Sequence, residues 1–129
     1  MKLDDEFIPI YGVEPEILEK GYKINSVGLI LTPDNKFLYG YSKHKKFNKN
    51  GTLNKKYGYK IVSLYDVSGK HHKNYSVHRL VYMAFHRVLI DSDEEIHHIN
   101  KDKSDNSVYN LRKLTKSQHR EMEKMNGIE

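Results

Sequence analysis

The last third of the chain contains the pattern that most restricts its fold. The segments "EIHHI" and "LRKLT" have the length of short strands, and a polar segment rich in turn-forming residues separates them. Thr115, followed three residues later by Gln118, forms a capping box, which predicts a helix over about residues 116–126 with Gly127 as its C-terminal stop. This part of the chain is therefore predicted to fold as strand, loop, strand and helix.

Three histidines lie at defined places in this pattern. His97 and His98 are adjacent on the first strand, and His119 lies in the first turn of the helix. Neighbouring side chains of a regular strand point to opposite faces, but at a strand's end two such side chains can flank one group from different sides. A second pair, His71 and His72, lies in a lysine-flanked hairpin loop with no histidine at the corresponding distance behind it. We interpret that pair as surface residues or phosphate contacts.

The upstream sequence predicts small antiparallel strands and a helix, so the fold class is α+β. Pro9 and Pro15 interrupt the first segment, and apolar residues at helical spacing from Leu80 to Phe85 indicate the helix. The predicted order is an irregular or weakly helical leader over 1–20, two strands within 22–32, a third strand in "KFLYGYS", an exposed loop over 43–56, a hairpin within 57–80 and the helix.

Composition excludes several kinds of protein. With 129 residues, of which 37% are hydrophobic, the chain can bury one modest core. The absence of cysteine excludes disulfides and thiolate metal sites and fits an intracellular location, and no apolar run is long enough to cross a membrane. The net charge of +5 is concentrated in residues 21–90, where thirteen Lys or Arg accompany two Asp. This favours a nucleic acid partner, although a solvated lysine-rich surface fits composition alone equally well.

Phosphodiester hydrolysis needs a nucleophilic water, a general base and a cation that neutralises charge on the phosphate and leaving oxygen. Imidazole can be the base, and neutral imidazole can ligate a metal. The segment "IHHINKDKSDNSVYNLRKLTKSQH" resembles the motif of HNH endonucleases of the phage and intron homing type, whose fold is the ββα-metal unit. "VHRLVYMAF" (77–85) and "YKINSVGLI" (22–30) are similar to segments that precede the motif in these enzymes.

The resemblance implies a role for each motif residue. His98 would be the general base, and His97 and His119 would ligate one divalent metal, although relatives often have Asp in place of His97. Asn110 would brace the loop through hydrogen bonds to its backbone. The implied metal is Mg²⁺ or Mn²⁺, and the softer ligand His97 brings Ni²⁺ or Zn²⁺ into consideration. Two histidines are too few for a closed structural zinc site, which needs four ligands.

The resemblance also implies an organisation: a leader and small β module over 1–52, then an HNH nuclease domain with its preceding hairpin and helix over 53–129. Contacts to the DNA backbone are predicted for a set of basic residues: Lys43, Lys45, Lys46, Lys55, Lys56, Lys60 and Arg79. For each single lysine, a position in a solvent-exposed loop without DNA contact explains the sequence equally well. Because the chain ends two residues after Gly127, we expect recognition to be weak or to rest on the N-terminal strands and the loop.

The sequence thus predicts a metal-dependent DNA endonuclease or nickase of the HNH homing type, acting on double-stranded DNA, in the host cytoplasm if it is phage-encoded. The alternative is a non-catalytic DNA-binding protein that keeps the HNH fold. The enzyme is favoured because the three positions at His97, His98 and His119 all hold residues competent for the chemistry. The target sequence, cleavage of one strand or both, the identity of the metal and the choice between monomer and homodimer stay open.

Overall fold

The computed structural model describes residues 6–42, 44–54 and 56–126. These residues form short antiparallel strands and helices, which confirms the predicted α+β class. The elements are β1 (Ile8–Pro9), α1 (Pro15–Leu18), β2 (Lys23–Ile24), β3 (Ile30–Leu31), β4 (Phe37–Leu38), β5 (Ile61–Tyr65), β6 (His72–Ser76), α2 (Val77–His86), β7 (Glu94–His98), a 3₁₀ turn (Val108–Asn110), β8 (Leu111–Thr115) and α3 (Lys116–Asn126).

The first four strands form one antiparallel sheet in the order β1-β2-β3-β4. The two strands predicted within 22–32 are β2 and β3, and the backbone N–H of Gly28 donates to the Asn25 carbonyl at 3.1 Å in the turn between them. The expectation of an irregular or weakly helical leader is wrong in part. Pro9 lies in edge strand β1, where a missing N–H costs no ladder bond, and Pro15 begins α1 instead of interrupting it.

Strands β5 and β6 form the predicted hairpin, with Ile61 opposite Ser76 and Tyr65 opposite His72. The prediction that both His71 and His72 lie in the hairpin loop is wrong for His72, because β6 already begins at this residue. Helix α2 begins at Val77, before the first predicted position, since Val77 belongs to the same buried face as the later apolar residues of the helix.

A single buried cluster joins the N-terminal sheet to the hairpin and α2. Ile24, Ile30, Leu64 and Leu80 are members of this cluster and are fully buried. The sheet also contacts the segment before β8, where Val108 donates to the Ser26 carbonyl at 2.8 Å. The proposed division of the chain at residue 52 stays a prediction.

Gly28, in the turn between β2 and β3, lies close to the start of α2 and to the loop before β8. Its φ of +91° is one that side-chain-bearing residues rarely adopt. A Cβ atom at this position would lie 2.9 Å from Cγ1 of Val77 and 3.2 Å from Cβ of Asn106. Glycine is therefore needed here for both its conformation and its small size.

Strands β7 and β8 pair antiparallel, with His97 opposite Arg112 and His98 opposite Leu111, and α3 follows directly. The predicted capping box is confirmed. Gln118 donates its backbone N–H to Oγ1 of Thr115 at 3.0 Å, and Thr115 donates its own to Oε1 of Gln118 at 2.9 Å. The predicted stop at Gly127 lies outside the described residues. No helix in the described part of the chain has the length and apolar character needed to span a membrane.

Candidate active site

Strand β7 presents different side chains on its two faces. Ile96 and His98 are buried, whereas Glu95 and His97 on the opposite face are partly exposed. The strand stays paired through His98, its last residue, so the two histidines project in opposite directions. Both nevertheless line one open cleft of about 1010 Å³ beside the end of the strand.

The His98 ring forms a hydrogen bond with the side-chain amide of Asn106. It is only 4% exposed, and its Nε2 lies 2.8 Å from Oδ1 of the buried Asn106. Because an amide oxygen only accepts, Nε2 carries the ring proton and the lone pair of the neutral ring lies on Nδ1. Burial lowers the pKa of His98, and the hydrogen bond to Asn106 acts in the opposite direction. At neutral pH the ring is therefore in the unprotonated form that a base requires.

An aromatic cluster lies beside the His98 ring. The ring centre of His78 is 4.8 Å from that of His98, and Tyr59 stacks on His78 at 5.1 Å. Nζ of Lys103 lies 4.6 Å from the centre of the Tyr59 ring. Burial lowers the pKa of His78 to about 3 and raises that of Tyr59. Nδ1 of His78 is buried without a hydrogen-bond partner among the described residues.

His97 and His119 face each other across the β7–α3 contact. Their ring centres are 5.4 Å apart, and burial is the largest cause lowering the pKa of His97, followed by the charge of His119. Two imidazoles that share a metal through nitrogens at about 2.0–2.1 Å have ring centres roughly 4.5–5.5 Å apart, so this pair fits two neighbouring ligand positions. Within the described ranges no group of three or more His, Asp or Glu is arranged to hold a metal ion. Water and a phosphate oxygen would complete such a site.

Asn110 braces the loop between β7 and β8. Its Nδ2 donates to the Asp105 carbonyl and to Oδ1 of Asn100, both at 2.9 Å, and its Oδ1 accepts the N–H of Asn100 at 3.0 Å. Asn110 is largely buried and is not among the described residues that line the cleft. Its contacts therefore hold the backbone that follows His98.

The basic residues predicted to contact DNA lie in different places. Lys56 and Arg79 line the cleft. Lys45 and Lys46 are exposed in the preceding loop, and Lys60 is partly buried beside β5. The remaining two, Lys43 and Lys55, lie outside the described residues. Two cleft lysines were not predicted, namely Lys101 and Lys103.

Sequence reasoning also missed three residues around the histidines. Glu95 and His78 line the cleft but were given no role, and the bond of Asn106 to His98 was not predicted although Asn106 lies within the quoted motif segment. A usable signal existed for His78, since a histidine beside the apolar face of a predicted helix is expected to be buried. For Glu95 the signal was its spacing of two residues from His97, which places both on one strand face.

Residues 75–121, from the end of β6 into α3, match the family model of HNH endonucleases. The resemblance to this family is thereby confirmed for the C-terminal unit. Among solved structures, the chain is similar to one of DNA binding and cleavage by the HNH homing endonuclease I-HmuI, with 24% identity and a TM-score of 0.65. The match covers 95% of this chain and 59% of that chain, and it shows the fold. No curated protein gives a significant match.

Proposed function

We propose that this protein is a metal-dependent DNA endonuclease or nickase of the HNH homing type. The observation that carries the proposal is the gathering of His97, His98 and His119 around one cleft that several lysines and Arg79 also line. The family match over residues 75–121 supports it, because that segment contains all three histidines. Double-stranded DNA is the proposed substrate, and hydrolysis would leave 5′-phosphate and 3′-hydroxyl ends.

His98 would take a proton from the attacking water. Its neutral ring has the lone pair on Nδ1, and Asn106 keeps accepting from Nε2 while the ring becomes positively charged. The Asn106 oxygen therefore fixes the ring and stabilises the charge that proton transfer creates on it. Asn110 contributes indirectly, because it holds the backbone immediately after His98.

His97 and His119 would hold the divalent metal. When bound, the metal supplies positive charge at the scissile phosphate and at the leaving oxygen. Lys101, Lys103 and Arg79 would attract and orient the phosphate backbone along the cleft. Their contacts carry no base information, so they would position DNA without selecting a sequence.

Cleavage of supercoiled plasmid tests the proposal. The wild-type protein is incubated with plasmid in Mg²⁺ or Mn²⁺, and separately with chelator, beside His98→Ala and the control His72→Ala. We expect nicked or linear product that chelator abolishes, that His98→Ala nearly eliminates and that His72→Ala leaves unchanged. Cleavage that persists in His98→Ala would contradict the assigned base. DNA binding without cleavage in any metal would favour the alternative, a non-catalytic DNA-binding protein with this fold.

A further inference from the structure

Glu95 is an acidic side chain in a cleft whose other charged lining residues are basic. In the described part of the chain those residues are Lys56, Arg79, Lys101 and Lys103. Glu95 precedes His97 by two residues on β7, so both side chains project from the same strand face. Its Oε1 lies 2.9 Å from Nδ1 of His119, which is hydrogen-bond distance. The carboxylate therefore contacts the histidine that α3 brings to the metal site.

This contact selects one form of the His119 ring. A carboxylate only accepts hydrogen bonds, so the proton of His119 lies on Nδ1 and the lone pair of the neutral ring lies on Nε2. Nε2 is then the nitrogen that can ligate a metal. Histidines that ligate metals usually donate their other ring N–H to such a partner, which fixes the ring and makes the ligand nitrogen more basic.

The charge of the site points to the same residue. His97 and His119 are neutral when they act as ligands, so neither offsets any of the positive charge of a divalent ion. The surrounding basic side chains repel the ion further. A carboxylate at Glu95 supplies the negative charge that an Asp would contribute if it stood in place of His97.

We infer that Glu95 is a positioning residue of the metal site: it orients His119 with Nε2 toward the metal and provides the charge that the two imidazole ligands lack. The inference rests on the proposed function for the presence of a metal, but the Glu95–His119 contact stands independently of it. Glu95 acts through His119 and is not itself placed among the ligands.

Metal affinity measured without any reaction tests the inference. The full chain is titrated calorimetrically with Mn²⁺, alone and with DNA bound, as wild type, Glu95→Ala, Glu95→Gln and Glu94→Gln. Glu94→Gln is the matched control, because Glu94 is the adjacent carboxylate and contacts Lys113 on the opposite face of β7. Thermal unfolding checks that each variant is folded. Nitrogen NMR of metal-free protein labelled at histidine reports which nitrogen of His119 carries the proton.

We expect Glu95→Ala to raise the Kd for Mn²⁺ about 10–100-fold and to lose the Nδ1–H form of His119. Glu95→Gln keeps an acceptor oxygen but no charge, so it should retain that form and weaken Mn²⁺ binding by a smaller factor. Glu94→Gln should bind within twofold of wild type. A wild-type Kd in Glu95→Ala, or no Mn²⁺ binding by the wild type under either condition, overturns the inference.

The outcomes separate this inference from the proposed function. Mn²⁺ binding that depends on Glu95, in a protein that cuts no DNA with any metal, would support the inference and contradict the nuclease. Metal-dependent cleavage in a protein whose Glu95→Ala variant binds Mn²⁺ like wild type would support the nuclease and contradict the inference.

Discussion

The two pairs of adjacent histidines have different surroundings although both belong to antiparallel strand pairs, His97 and His98 on β7 and His71 and His72 at the start of β6. His71 and His72 are exposed. Among the described residues, the ring of His72 contacts one other ring, that of Tyr65, its partner across the β5–β6 hairpin. The pair on β7 has Asn106 behind one ring and His119 beside the other. The dipeptide His-His alone therefore does not define a site. The site is defined by residues later in the sequence that pack against His97 and His98.

The largest expected effect separates the two pairs by activity. His98→Ala should lower the initial rate of plasmid cleavage about 10²–10⁴-fold, because it removes the proposed general base. His71→Ala and His72→Ala should each stay within twofold of wild type, since neither residue lines the cleft. Rates are compared at saturating Mn²⁺. Equal losses at both pairs would mean that the hairpin of β5 and β6 also takes part in the reaction.

The surroundings of the two histidine pairs should also differ in how their contribution to stability changes at acidic pH. His78, whose ring centre lies 4.8 Å from that of His98, has a pKa of about 3, below its ordinary 6.5, so the unfolded chain binds more protons between these two values. Its stabilising contribution is complete above pH 6.5 and falls with decreasing pH, by about 2 kcal/mol at pH 5. Urea unfolding of wild type, His78→Phe and His72→Phe from pH 7 to pH 4.5 measures it.

His78→Phe should flatten the pH dependence relative to its own value at pH 7, whereas His72→Phe should retain the wild-type slope. Unchanged slopes in both variants would show that His78 does not titrate below its ordinary range.

A third difference between the two pairs concerns which divalent metal ion supports cleavage. His97→Asp replaces the softer neutral imidazole of a proposed ligand with a hard charged carboxylate, which favours Mg²⁺ over Mn²⁺. We expect the ratio of cleavage rates in Mn²⁺ to those in Mg²⁺ to fall about tenfold, a change of about 1.4 kcal/mol. The same substitution at His72 should leave the ratio unaltered. Strict Mg²⁺ dependence of the wild type would already contradict a softened site.

The smallest expected effect is on stability at the exposed pair. The double variant His71→Ala/His72→Ala should change the free energy of unfolding by less than about 0.5 kcal/mol, as is usual for surface substitutions. Asn110→Ala is the contrasting variant at the other pair. It removes the side chain that bonds Asn100 and the Asp105 carbonyl, and it should cost about 1–3 kcal/mol in urea unfolding. Similar costs for the two variants would contradict the bracing role.

Local signals predicted much of the C-terminal unit. The capping box at Thr115 and Gln118 fixed the start of α3, and spacing placed β7 and β8 within a residue or two, because these features depend on neighbours in sequence. The bond between Asn106 and His98 depends on how the loop folds, and the burial of His78 depends on packing by Tyr59. Helical spacing indicates a buried His78, but neither its stacking on Tyr59 nor the Asn106–His98 bond follows from a periodicity.

Residues 1–20 also show that local sequence signals are not sufficient to predict the fold. Pro9 and Pro15 predict interruption, yet one occupies an edge strand and the other the first turn of α1. Proline is tolerated where no backbone N–H is needed, as in an edge strand or the first turn of a helix, and the pairing partner of β1 is supplied by residues more than a dozen positions later. Propensity alone therefore missed a strand that the rest of the sheet stabilises.

The contact at Gly28 has a consequence for attempts to cut this protein into modules. Asn106, the residue that holds His98, packs directly against Gly28, and the backbone nearby is tied to Ser26. A fragment trimmed to the matched segment 75–121 would keep the three histidines but lose the surface against which the His98 support is packed. Anyone grafting this unit onto another domain would have to transplant the N-terminal sheet with it or redesign that surface.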